Sequence, residues 1–130
     1  MKKRKILIID DELDILKTTK YALEDAGYKV YTVDNGEEGL MRLKTVNPDL
    51  ILLDLLLPGR TGFQIAQEIK SKDEYKNIPI IVISGKTAAV DKYIAVKKGV
   101  VEYIEKPIDM DRLLFHINDI LQNIKKEAAL

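Results

Sequence analysis

Three uninterrupted aliphatic runs constrain what this chain can fold into: Ile6-Leu7-Ile8-Ile9, Leu50-Ile51-Leu52-Leu53 and Ile80-Ile81-Val82-Ile83. None alternates apolar with polar residues, so each reads as a strand covered on both faces, as in the interior of a parallel sheet. Each also stops on polar side chains: Asp10-Asp11-Glu12, Asp54 and Ser84. Helical spacing fills the gaps. Ile15, Leu16, Thr19, Leu23 and Ala26 recur with a helical period up to Gly27, a suitable C-terminal stop. Asn35-Gly36 opens a helix carrying Leu40 and Leu43, and Asn47-Pro48 closes it. After the Pro58-Gly59 turn, Phe63, Ala66 and Ile69 form the inward stripe of a third helix. Val90 to Lys98 reads as a weakly amphipathic helix ended by Gly99. Leu113, Leu114, Ile117, Leu121 and Ile124 give the last helix a broad apolar stripe. Lys29 to Val33 is a strand nearer an edge, and Val101 to Glu105 is a short strand running into Lys106-Pro107.

Five strand-then-helix units imply parallel pairing through right-handed crossovers. The fold expected is an α/β, flavodoxin-like three-layer sandwich around a doubly wound five-stranded parallel sheet. The three most apolar strands belong inside, and the second and fifth at the edges. The order 2-1-3-4-5 satisfies this and puts the topological switch between the first and third strands. With 130 residues, the chain suits one domain over 1–130, its core spanning about 5–125, with no output domain. Its 21 basic and 21 acidic residues cancel, so no global field favours nucleic acid or an anionic membrane. No apolar run is long enough to span a bilayer, and no signal peptide is visible. Cysteine is absent, which excludes disulfides and thiol chemistry and agrees with a cytoplasmic home.

The topology gathers the polar strand ends. Asp10 and Asp11 end the first strand, Asp54 the third, Ser84 the fourth and Lys106 the fifth, all at the carboxyl edge where open α/β sheets bind ligands. Individually, each has an ordinary explanation as a turn former, helix cap or solvated charge. Together they make a crevice of converging carboxylates. At ~5 Å and an effective dielectric of ~20, each like-charged pair costs about 3 kcal/mol. A hard divalent cation, Mg²⁺ or Mn²⁺, relieves that repulsion. A backbone carbonyl just after Asp54 completes the ligand shell. Asp54, on the central strand, is best placed as nucleophile, with Lys106 and the Ser84 hydroxyl holding the oxygens of an incoming phosphoryl group.

These residues resemble the receiver domain of bacterial two-component response regulators. Asp10-Asp11 is similar to its acidic pair, and Leu53-Asp54-Leu55-Leu56-Leu57-Pro58 to Gly62 resembles its phosphoacceptor loop. Ser84-Gly85 matches its hydroxyl residue followed by a small one, Lys106-Pro107 its lysine and proline, and Tyr103 its aromatic switch position. The resemblance covers nearly the whole chain. It implies that Asp11, Asp54 and the Leu56 carbonyl bind Mg²⁺ directly, with Asp10 acting through water, and that the Lys106–Pro107 bond is cis. It implies a signalling phosphoacceptor rather than an enzyme acting on other molecules. A sensor histidine kinase or histidine phosphotransfer protein would phosphorylate Asp54. Ser84 and Tyr103 would then switch the face made of the Val90–Lys98 helix, the fifth strand and the last helix. The partners implied are that donor and a downstream protein target, without direct nucleic-acid or membrane contact, and a phosphorylation-dependent homodimer is among the states allowed. The chain departs from the family pattern at Leu57, Arg60, Thr61, Val100 and Ile108, none of which removes an atom needed for phosphoryl transfer.

Other readings fit less well. An aspartyl phosphohydrolase usually carries a second Asp two residues after the nucleophile, where this chain has Leu56. A nucleotide-binding domain of this fold needs a glycine-rich loop after the first strand, whereas Asp10-Asp11-Glu12 repels phosphate. A receiver-like interaction module that is never phosphorylated remains the alternative. His116, the only histidine, falls on the last helix away from the acidic edge and reads as packing.

Overall fold

The computed structural model describes residues 2–85, 97 and 99–129. Five strands form one sheet: β1 Lys5–Ile9, β2 Lys29–Val33, β3 Leu50–Asp54, β4 Ile80–Ser84 and β5 Glu102–Glu105. Among the described residues four further elements are complete helices: α1 Leu13–Asp25, α2 Gly36–Val46, α3 Gly62–Lys70 and α4 Met110–Ala129. Apart from Lys97, the helix expected over Val90–Lys98 lies outside the described residues. Strand order is β2-β1-β3-β4-β5 and every pairing is parallel. The uninterrupted runs are therefore the three interior strands, and the switch point falls between β1 and β3.

Each interior strand sends alternate residues to opposite faces, and both faces are dry. Leu7, Ile9, Ile51, Leu53 and Val82 pack beneath α2 and α3 through Leu43, Ile65, Ala66 and Ile69. Ile6, Ile8, Leu50, Leu52, Ile81 and Ile83 pack against α1 and α4 through Leu16, Leu23, Leu113, Ile117 and Leu121. Burying such a side chain is worth roughly 1.5–3 kcal/mol, so the sheet interior carries most of the stability.

Local chemistry starts and stops the helices where the chain must turn. Asn35 caps α2 by accepting the Glu38 amide hydrogen at 2.9 Å, and Asn47 closes it in the left-handed region at φ 50°. Two stripe assignments need correction. Ala26 is exposed because α1 ends at Asp25, and Ile124 is 36% exposed near the end of α4.

Candidate functional site

Asp54 is the last residue of β3 and only 3% exposed. Its Oδ1 accepts the Leu56 amide hydrogen at 3.2 Å, while Oδ2 stands 3.5 Å from Lys106 Nζ. Lys106 follows β5, and its backbone N–H donates to the Ser84 carbonyl at 2.7 Å, continuing the strand pairing past the sheet edge. That extension brings its ammonium over the crevice, 3.3 Å from Asp10 Oδ2 and 2.6 Å from Glu12 Oε1. Asp10 is buried; its backbone N–H donates to Val33 at 3.2 Å and its Oδ1 accepts the Glu12 amide hydrogen at 2.9 Å. Ser84 is fully buried at the end of β4, in register with Glu105. Tyr103 is half-buried on β5, in register with Val82 and packed against the core beneath α2 and α3. The Lys106–Pro107 bond is cis.

Electrostatics follow from this crowding. Burial first, then repulsion by Asp10, pushes the Asp54 carboxyl from 3.8 up to about 6, although the Lys106 charge and the Leu56 N–H pull the other way. Burial works against the Lys106 ammonium, but the Glu12 hydrogen bond and the Asp54 and Asp10 charges outweigh it and hold its pKa above the usual lysine value.

The expected residues Asp10, Asp54, Ser84 and Lys106 thus converge on one edge. Carboxylate oxygens of Asp10, Glu12 and Asp54 lie within 4.8 Å of one another. Asp11 is exposed and is not among these three, whereas Glu12, the N-cap residue of α1, is. Glu12 was visible in the sequence as the third acid of the run, but its spacing gave no reason to prefer it over its neighbour. Three carboxylates that share one ammonium, two of them buried, are a donor set that a hard divalent cation fits. His116 lies elsewhere, 3.6 Å from Glu102 and edge-on to Phe115.

The β3–α3 loop completes the site. Gly59 turns at φ 84°, Leu56 bridges Thr61, and Gly62 N–H donates to the Leu55 carbonyl at 2.7 Å. A Cβ on Gly62 would meet the Asp54 carbonyl oxygen at 2.3 Å, so only glycine lets α3 begin this close to Asp54.

The family model of the response regulator receiver domain matches residues 6–118. Among solved structures, the chain is similar to a CheY-like response regulator receiver domain protein from Methanospirillum hungatei JF-1. That match has 28% identity and a TM-score of 0.90, covering 97% of this chain and 99% of the other. It is similar to chemotaxis protein CheY4 of Vibrio cholerae at 28% identity and a TM-score of 0.86, covering 91% and 98%. It also matches the signal receiver domain of a signal transduction histidine kinase from Syntrophus aciditrophicus at 29% identity and a TM-score of 0.86, covering 94% and 92%.

Proposed function

This chain belongs to the response regulator receiver domain family, and from that premise we propose that Asp54 accepts a phosphoryl group from a phosphohistidine. The donor is a sensor histidine kinase or a histidine phosphotransfer protein. The observation that carries the reading is the buried Asp54 carboxylate facing Lys106, with the carboxylates of Asp10 and Glu12 beside it.

In the transfer, an Asp54 oxygen forms a bond to phosphorus as the phosphorus–nitrogen bond breaks, and the electron pair leaves with the imidazole. Lys106 is placed to move from its carboxylate partners to a phosphoryl oxygen, and Ser84 to hold another. A divalent cation, Mg²⁺ or Mn²⁺, held by Asp11, Asp54 and the Leu56 carbonyl, with Asp10 acting through water and Glu12 beside them, would neutralise charge on the transferred oxygens. An apolar groove of about 210 Å³, lined by Ile15, Thr18, Thr19, Pro107, Ile108, Met110 and the acidic Asp14, offers the donor protein a seat beside the site. Ser84 and Tyr103 then pass the change to the surface of β5 and the last helix, which engages a downstream protein or a second copy of the chain. Among the described residues no helix is long and apolar enough to cross a membrane, and the reading places the domain in the cytoplasm.

Intact-mass measurement after incubation with acetyl phosphate tests the proposal. Wild type gains the mass of one phosphate when Mg²⁺ is present and none in chelator, and Asp54→Asn gains none in either. Equal labelling of both proteins removes Asp54 from the role. No labelling of wild type favours a receiver-like module that works without phosphate.

A further inference from the structure

We propose that Arg60 is a positioning residue, tying the β3–α3 loop to two helices and so holding the Leu56 backbone beside Asp54. Its guanidinium spans two elements: Nη1 is 2.9 Å from Glu37 Oε1 in the first turn of α2, and Nη2 is 3.1 Å from Glu68 Oε1 in α3. The planar fork of arginine presents a separate nitrogen to each carboxylate in a fixed geometry, which the single nitrogen of a lysine does not.

The path from Arg60 to Asp54 is short. Arg60 adjoins Thr61, whose side chain and backbone close the capping box with Gln64 at the start of α3. Thr61 bridges Leu56, and the Leu56 N–H reaches Asp54 Oδ1 at 3.2 Å. The Leu56 side chain is 53% exposed and anchors little, so the position of its backbone depends on the loop. Leu57 packs against the core on one side of the turn, whereas Gly59, in the left-handed region with open space around it, adds no packing before Arg60. Both ion pairs are partly exposed, so they add little to global stability. Their consequence is geometric, because small displacements of groups around a reacting centre have large effects on rate.

The inference rests on the cation-assisted reading of the site, and its first readout is Mn²⁺ binding to the unphosphorylated protein, followed by the paramagnetic signal of the free ion. Arg60→Met is expected to weaken Mn²⁺ binding about 5-fold, below the ~10–100-fold typical of groups that touch a metal ligand directly. Its denaturant midpoint should match wild type. The paired change Glu37→Gln with Glu68→Gln should reproduce the loss, and Arg60→Lys should recover only part of it. In acetyl phosphate labelling, the Mg²⁺ concentration giving half-maximal rate should rise by a similar factor, more than the limiting rate falls. Unchanged Mn²⁺ affinity in Arg60→Met overturns the proposal, as does a lost affinity matched by a comparable drop in midpoint, which marks simple loop support. Wild type that binds Mn²⁺ but takes no phosphate refutes the phosphoacceptor reading and leaves the Arg60 measurement standing.

Discussion

Burial beside Asp10 raises the Asp54 carboxyl from 3.8 to about 6, and that shift is a statement about stability. The folded state binds this proton more tightly than the unfolded chain. The resulting stabilisation is full below pH ~4 and is lost as pH rises through the folded value of about 6. At ~1.4 kcal/mol per unit, the ionised carboxylate weakens the fold at neutral pH by up to ~3 kcal/mol. Asp54→Asn should therefore raise the denaturant midpoint in chelator at pH 7, and the advantage should vanish near pH 4. A mutant less stable than wild type at pH 7 would remove the repulsive cluster. Asp11 supplies the contrast. It is exposed and outside the carboxylate group, so Asp11→Asn in chelator should change stability by less than ~0.5 kcal/mol. Lys106→Ala should do the reverse of Asp54→Asn and lower the midpoint, by ~1–3 kcal/mol, because it strands Asp10 and Asp54 without their cation. Asp10 was legible in the sequence as a site residue, and it is the buried acid of the run; that Glu12 joins Asp10 and Asp54 beside Lys106 was not. It depends on where α1 starts, with Glu12 at the N-cap in extended backbone at φ −88° and its N–H spent on Asp10.

At the scale of elements, the interior strands were readable because nothing polar interrupts them, and the helices because caps and breakers bracket their apolar stripes. Asn35 and Asn47 close both ends of α2 as their types lead one to expect. Asn35→Ala should cost about 1 kcal/mol in a denaturant melt. Less legible was the junction between β3 and α3. Pro58-Gly59 announces a turn, but not that Leu56 folds back on Thr61 or that α3 begins against the Asp54 carbonyl. Those features arise from tertiary closeness rather than local propensity. Gly62→Ala tests them: its Cβ would face backbone atoms at 2.3 Å and 2.8 Å, which cannot rotate away. The expected result is a loss of more than ~2 kcal/mol together with a displaced Asp54. A neutral Gly62→Ala would mean that the loop is free to open.

The whole molecule turns a sheet order into a chemical site. Parallel pairing in the order β2-β1-β3-β4-β5 sends the carboxyl ends of β1, β3, β4 and β5 to one edge, so residues far apart in the chain meet without any local motif joining them. This is why topology could be read from strand hydrophobicity, and the site from topology. It is also why the edge is electrostatically loaded before any ligand arrives. Among the described residues, Asp10, Glu12 and Asp54 face one ammonium, Lys106. A cation that binds only the folded arrangement should stabilise the entire domain by mass action, by ~2.7 kcal/mol when it is present at 100 times its dissociation constant. Denaturant melts in Mg²⁺ and in chelator, at matched ionic strength, separate this from general screening. Wild type should gain most. Asp54→Asn should gain little, because a neutral amide replaces a ligand and the repulsion it would relieve is already gone. The two effects should cross over: Asp54→Asn is the more stable protein in chelator, and wild type closes or reverses the gap as Mg²⁺ saturates. Equal stabilisation of both proteins by Mg²⁺ would place the cation elsewhere on the molecule and break the link between the carboxylate cluster and metal binding.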